Sequence, residues 1–275
     1  MNKVDQGSIY YGFRSEKYPD IKCYAVVISA RCDIAQHKIK KYYYLIALDV
    51  LDWLQSPFGC AYALEGFQKN VLNSLSNKLN TCQINIDLLL SFGSEQREKV
   101  LLDKVSKPAD RKWINEKLSK VVQLQEALKS KAKLSELIKS DEKAKNAIKD
   151  TILEISKSKH THYVYIPQKS YLSEGSLEKG LIIDLQEIGI LTEKDANIIE
   201  SPGIDYSLLS GLAKEDATRQ KKQFFLNNEE DFVGFEGKIE SPWIEYTVQR
   251  FSNNFIRIGI EDLEENVVEG LVGRL

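Results

Sequence analysis

The sequence lacks the runs and motifs that mark several large classes of protein. No stretch approaches the ~18–20 consecutive apolar residues that a membrane-spanning helix needs, and the first seven residues have no apolar signal-peptide core. We therefore expect a cytoplasmic protein without a membrane segment. The chain also has no P-loop, no G-x-G-x-x-G and no G-x-S-x-G motif, so it gives no indication of nucleotide-driven or serine-hydrolase chemistry.

Cysteine and histidine are both scarce. Four cysteines in 275 residues, with no pair at C-x-x-C spacing, are too few for a disulfide framework, and we expect reduced thiols. Of the three histidines, His160 and His162 share one face of a predicted strand, with no further zinc-type ligand nearby in the sequence. We therefore predict neither a metal site nor a cofactor.

Charge is distributed unevenly along a chain whose composition is otherwise that of a globular protein, with 43% hydrophobic and 28% charged residues. The segment from Arg97 to Lys159 carries 17 Lys or Arg against 10 Asp or Glu, whereas the remainder carries 21 against 30. A basic middle segment in an acidic protein is typical of a chain that binds a negatively charged partner, either nucleic acid or an acidic protein surface. It is equally typical of a solvated helical face.

Short apolar and aromatic runs predict strands on both sides of that basic segment. They are the runs at 6–12, 23–29, 42–48, 162–167, 180–185 and 231–240. Because closing an antiparallel sheet removes its exposed edges, we expect these short strands to join in one small barrel or curled sheet. We expect a C-terminal helix after Ser241-Pro242, where Ser and Pro are typical of the start of a helix.

The clearest helical periodicity follows Pro108, with apolar residues at helical spacing up to Ile155. It predicts one long helix or an antiparallel hairpin that breaks near Ser140-Asp141. We therefore expect an α+β protein with the body over 1–94 and 159–275 and a basic helical insertion over 95–158. The helix and loop signals before residue 93 are mixed.

One polar cluster follows the predicted strand at 23–29, and it contains Arg31, Cys32, Asp33 and His37. Functional groups at the point where a rigid strand ends are well placed for a site. Asp33 raises the pKa of a neighbouring thiol, whereas Arg31 or a protonated His37 lowers it. Three interpretations stay open: a Cys32 nucleophile, a non-covalent polar site, or an Asp-mediated turn beside a core cysteine.

A second polar cluster lies on and after the last predicted helix, and its members are Glu245, Gln249, Arg250 and Arg257. If this helix packs on the mouth of the barrel, Glu245 and Arg257 can meet Asp33 or Arg31 in a site. Alternatively, an Arg-carboxylate pair in this cluster is buried and fastens the terminal helix to the body.

The first fifty residues resemble the opening of the PemK/MazF family in the order of Gln6-Gly7-Ser8-Ile9-Tyr10-Tyr11, Ala25-Val26-Val27-Ile28-Ser29 and Tyr43-Tyr44-Leu45-Ile46-Ala47. The resemblance implies a small SH3-like barrel and the activity of that family, which comprises ribosome-independent endoribonuclease toxins. The chain departs from the family in its length. It also has Lys22-Cys23 where members have an Arg-Pro pair before the second strand.

Two functions are compatible with these patterns. The first is a binding or accessory module that engages a protein or nucleic acid through the basic helical segment from Lys129 to Lys149, in a bacterial multi-component system such as phage defence. The second is a metal-independent ribonuclease. In it Arg31 or Arg257 stabilises phosphate charge, and Asp33, His37 or Glu245 handles protons.

Overall fold

The computed structural model describes residues 4–36, 38–157, 159–173, 180–200, 203–205, 207 and 220–256. The chain divides into two compact units. The sheet unit comprises Met1–Val50 and Ile155–Leu275, and the helical unit comprises Leu51–Glu154. The mixed α+β class predicted from the sequence is confirmed.

The helices and strands follow one another along the chain in this order: β1 (Ser8–Phe13), β2 (Cys23–Val27), α1 (Arg31–Ala35), β3 (Lys41–Asp49), α2 (Val50–Gln55), α3 (Pro57–Thr81), α4 (Ile86–Ser91), α5 (Ser94–Lys104), α6 (Pro108–Ala127), α7 (Lys131–Ser140), α8 (Glu142–Ser156), β4 (Tyr163–Ile166), β5 (Tyr171–Ser173), β6 (Leu181–Thr192), α9 (Glu193–Glu200), β7 (Ile204–Asp205), β8 (Phe232–Ile239) and α10 (Trp243–Ile256). The predicted C-terminal helix is α10.

The strands of the sheet unit form one antiparallel sheet in the order β4-β6-β3-β2-β1-β8-β5, with β7 paired to β8. Because β1 pairs with β8, strands from the two ends of the sequence share one body, as the strand pattern predicted. The sheet is not closed, since none of the described strands joins β4 to β5. A complete SH3-like barrel is therefore not confirmed.

The connection between the two edge strands nevertheless requires the sheet to curl. Only residues 167–170 separate β4 from β5, and five Cα–Cα steps span at most about 18 Å. In a flat sheet of seven strands the two edges would lie about 29 Å apart. The short connection therefore agrees with the curled sheet that we expected as the alternative to a closed barrel.

One face of the sheet carries the core on which α10 packs. This core consists of Ile9, Val26, Ile28, Leu45, Ala47, Val164, Ile166, Leu181, Ile183, Leu185, Ile239 and Ile244. Alternate residues of each strand supply it, since successive strand side chains point to opposite faces. Ile244 brings the first turn of α10 into the same cluster.

The helical unit begins well before the predicted insertion at residue 95. Residues 50–92, where the sequence signals were mixed, contain α2, α3 and α4. The long helix α3 includes Gly59 and Gly66, whose poor helix propensity weakens the sequence pattern. The predicted break near Ser140-Asp141 is confirmed, because α7 ends at Ser140 and α8 begins at Glu142.

Candidate functional site

Three residues of the first predicted cluster, Arg31, Cys32 and Asp33, lie on α1, a single helical turn after β2. The turn buries none of its residues. Nε of Arg31 lies 3.7 Å from Oδ2 of Asp5, which also forms an ion pair with Lys238. The thiol of Cys32 donates to Oδ1 of Asp33 at 3.7 Å, and Cys32 is exposed. The guanidinium of Arg31 is therefore directed at a carboxylate rather than at the thiol.

The structure does not join this cluster to the second predicted one. Glu245 is exposed on the first turn of α10. Among the described side chains, no hydrogen bond or ion pair connects Glu245 with Arg31 or Asp33. His37 and Arg257 lie outside the described residues, so the proposed meeting of Asp33 and Arg257 stays a prediction.

Arg250 and Asn254 fasten the other end of α10 to the segment before β4. Nη2 of Arg250 donates to the carbonyl of His160, and Nδ2 of Asn254 donates to the carbonyl of Thr161 at 2.8 Å. These bonds are made to backbone carbonyls. Arg250 thus holds the terminal helix through a backbone carbonyl, and the Arg-carboxylate pair expected in this cluster stays a prediction.

A buried polar cluster that we did not predict surrounds Asp184 on β6. This carboxylate is completely buried, and its Oδ2 accepts hydrogen bonds of 2.7 Å from both Nζ of Lys17 and the hydroxyl of Tyr18. The register between β3 and β6 shifts directly after Asp184, at a bulge. A signal was available in the sequence, because Asp184 is the one charged residue in the apolar run Leu181-Ile182-Ile183-Asp184-Leu185.

The pKa shifts in the Asp184 cluster indicate a structural role. Burial alone would lower the pKa of Lys17, but the hydrogen bond and charge of Asp184 raise it overall. Burial and the charge of Asp184 both raise the pKa of Tyr18. Lys17 therefore stays charged and Tyr18 protonated at neutral pH. Neither group is suited to exchange protons there, and both hold the segment after β1 on the sheet.

The helical unit has an apolar groove on α7 and α8, which we call the α7–α8 groove. Its volume is about 290 Å³, and it is lined by Ile138, Lys145, Ile148, Lys149, Ile152 and Leu153. The groove exists because the helices packed against α8 do not cover all of its apolar side chains. Ile148 is buried, Ile152 is half-buried and Leu153 is 41% exposed.

Among the residues that the structure describes, the charged side chains that line this groove are both lysines, Lys145 and Lys149. Lys145 lies 3.3 Å from Glu142, in a pair that is exposed to solvent on both sides. Among the described residues no carboxylate forms an ion pair with Lys149. Glu142 therefore neutralises part of the charge of Lys145, and Lys149 supplies the unpaired positive charge of the rim.

A larger depression of about 600 Å³ lies between α3 and α8 on the other side of α8. Its lining includes two lysines, Lys117 and Lys143, and two carboxylates, Asp150 and Glu154, so positive and negative charges balance. Such a surface attracts neither an anion nor a cation preferentially. We therefore regard the α7–α8 groove as the candidate interaction site of the helical unit.

The described residues hold no group of three or more His, Cys, Asp or Glu side chains that could bind a metal ion. None of the described helices is long and apolar enough to cross a membrane.

No family model, no curated protein and no solved structure matches this chain. The likeness of its first fifty residues to the PemK/MazF family therefore stays a prediction.

Proposed function

We propose that this chain is a protein-binding module whose helical unit captures an amphipathic, acidic helix in the α7–α8 groove. The observation that carries the proposal is the combination of an isoleucine floor with a lysine rim. The groove includes Lys145 and Lys149, which belong to the segment from Lys129 to Lys149 in which the sequence predicted a partner surface.

The shape of the groove favours a helical partner. Ile138 comes from α7 and the other lining residues come from α8, so the groove runs between two helices. The ridge of a third helix packs naturally into such a groove. From Lys145 to Leu153 the α8 wall extends about 12 Å, which is a little over two helical turns. A partner helix can therefore place two or three apolar side chains on the floor.

The chemistry of the groove favours protein over nucleic acid. Its apolar lining is aliphatic and has no aromatic ring on which a base could stack. Moreover, several lysines of the helical unit are already paired with carboxylates, as in Lys120–Asp141 and Lys133–Glu136. A partner with leucines on one face and glutamates beside them would match both the floor and the rim.

Binding of a designed peptide to the full chain tests this function. The probe is a fluorescein-labelled amphipathic helical peptide of 18 residues, with leucines on one face and glutamates flanking them. We expect the Leu153→Asp variant to bind at least tenfold more weakly, because it places a charge in the apolar groove. The matched control is Leu102→Asp, which changes an even more exposed leucine (57%) on α5 and should leave binding unchanged.

Reversing the charge of Lys149 tests whether the positive rim of the groove attracts the acidic peptide. Lys149→Glu should weaken binding of the acidic peptide, and a peptide with lysines in place of its glutamates should bind this variant better than the wild type. If both aspartate variants bind the probe as tightly as the wild type does, or if the reversal has no effect, the groove is not the binding site.

The alternative functions remain predictions. A ribonuclease using Arg31, Asp33 or Glu245 requires that the purified protein degrade a mixed pool of RNAs in the presence of a chelator. Intact RNA would exclude that activity. The predicted role in phage defence is likewise untested.

A further inference from the structure

The sheet unit exposes an apolar surface beside the first predicted cluster. We call it the Tyr43 face, and it consists of Lys41, Tyr43, Ile188 and Ile190. Tyr43 is opposite Ile190 in the register between β3 and β6, and Leu45 is opposite Ile188. Opposed residues of an antiparallel pair share a face, so these side chains lie together. Their exposed fractions are 47% for Tyr43, 46% for Ile188 and 45% for Ile190.

Tyr43 is held rigidly although its ring is exposed. Its strand lies between β2 and β6, so both edges of the strand are paired. Its backbone N–H donates to Oγ of Ser29 at 2.7 Å, and its carbonyl accepts from the N–H of Ile28 at 2.9 Å. Because the backbone is fixed, only the two side-chain torsions of Tyr43 remain to be ordered when a ligand packs on the ring.

Three exposed lysines lie at the end of this face where β3 begins. Lys41 precedes Tyr43 by two residues on the same side of β3, at a distance along the strand of about 7 Å. Lys38 and Lys40 are exposed just before β3. An exposed carboxylate, Glu193, follows β6 directly, and its backbone N–H donates to the carbonyl of Lys40 at 3.1 Å. Among the described residues, no carboxylate forms an ion pair with Lys38, Lys40 or Lys41. The ligand of this face is therefore expected to be an anion.

We propose that the Tyr43 face binds single-stranded nucleic acid. One unpaired base would stack on the ring of Tyr43 and contact Ile188 and Ile190, while the adjacent phosphates would lie near Lys41 and Lys40. Rigid aromatic rings within a basic surface are the usual platform for unpaired bases. A duplex keeps its bases stacked on one another and so cannot use the ring in this way. This site is independent of the α7–α8 groove.

Fluorescence anisotropy with the full chain and labelled 20-nucleotide oligo(U) and oligo(dT) tests the proposal. We expect binding that weakens as salt is raised from 50 to 200 mM. Tyr43→Phe keeps the ring and should bind within about twofold of the wild type. Tyr43→Ala should bind about 5- to 100-fold more weakly, the range expected for the loss of one stacked base.

Charge variants distinguish binding of the oligonucleotide at the Tyr43 face from general electrostatic attraction to the protein. Lys41→Glu should weaken binding and reduce its salt dependence, whereas Lys104→Glu on α5 makes the same change of charge elsewhere and should have little effect. Leu153→Asp should leave oligonucleotide binding intact, so a failure of this proposal is distinguishable from a failure of the α7–α8 groove.

Three results would overturn the proposal. They are no binding of either oligonucleotide by the wild type at 50 mM salt, equal binding by Tyr43→Ala and wild type, or equally tight binding of a 20-base-pair duplex. If the oligonucleotides do not bind, but a labelled 20-residue polyglutamate binds the wild type and Leu153→Asp more tightly than it binds Lys41→Glu, the face recognises an acidic peptide instead. Melting temperatures of the variants within a few degrees of the wild type establish that they are folded.

Discussion

Lys17 and Asp184 form an ion pair across 167 positions of the sequence, with 2.7 Å between Nζ and Oδ2. The carboxylate is completely buried and the lysine largely so. Tyr18 donates to the same carboxylate oxygen, and the N–H of Gln186 donates to the other at 3.0 Å. The segment after β1 is thus fastened to the bulge of β6 by buried polar contacts.

Breaking this ion pair should destabilise the sheet unit strongly. We expect Asp184→Asn to lower the free energy of unfolding by about 3 kcal/mol, because it leaves the charge of Lys17 in a buried place without its partner. Tyr18→Phe should lower it by about 2 kcal/mol, the usual loss for a hydrogen bond to a charged group. Urea denaturation followed by circular dichroism measures both values.

The control for these variants is Glu65→Gln, which removes an exposed carboxylate paired with Lys69. Exposed pairs of this kind contribute little, so its effect should be close to zero. A similar free-energy change for Glu65→Gln and Asp184→Asn would contradict the structural role of the buried pair.

Acid should weaken the helical unit through Asp141, which caps the start of α8. Its Oδ1 accepts from the backbone N–H of Lys143 at 3.0 Å and of Ala144 at 3.4 Å, and its Oδ2 pairs with Lys120 on α6. Burial alone would raise the pKa of Asp141, but these hydrogen bonds and the charge of Lys120 lower it overall.

Because the folded pKa of Asp141 lies below its unfolded value of about 3.9, its stabilisation is complete above about pH 5. It is lost as the pH falls through the lowered folded pKa. Asp141→Ala should lower the free energy of unfolding by about 1–2 kcal/mol at pH 7, the usual effect of losing a helix cap. The difference from the wild type should shrink below pH 4. Thermal unfolding from pH 7 to pH 2.5 tests this, and Asp103→Ala on α5 is the control.

Two glycines of α3 should respond to alanine in opposite ways. A Cβ at Gly59 would lie 1.9 Å from the carbonyl oxygen of Trp53 and 2.7 Å from its carbon, both backbone atoms. Gly59→Ala should therefore cost about 3 kcal/mol, since the turn between α2 and α3 must shift. A Cβ at Gly66 would have no heavy atom within 4 Å. Gly66→Ala should stabilise the helix by about 0.5–1 kcal/mol.

Chemical denaturation of the two glycine variants provides the measurement, and each serves as the control of the other. A loss of stability in both, of similar size, would show that the close approach of Gly59 to Trp53 is not the cause.

Periodicity was the most reliable guide to the elements. The runs at 23–29 and 42–48 are β2 and β3, and the break at Ser140-Asp141 separates α7 from α8. The start of the helical unit could not be read in the same way, because glycines interrupt the pattern of α3 and its short neighbours have few turns.

The candidate surfaces were only partly accessible to sequence reasoning. Lys145 and Lys149 belong to the predicted basic segment, but the width of the groove beside them depends on how α7 and α8 pack. Tyr43 was recognised as a strand residue. Its exposure depends on β6 continuing past its bulge to place Ile188 and Ile190 next to it.

The α+β class, the positions of most strands and the basic character of the middle segment could be predicted from the sequence, because they follow from side-chain period and charge along a local stretch. Three relationships emerged only from the folded structure: β1 pairs with β8, Asp184 accepts hydrogen bonds from Lys17 and Tyr18, and Ile152 and Leu153 are not fully covered. Those relationships join residues far apart in the chain or depend on which neighbours fail to cover a side chain. A local pattern contains neither kind of information.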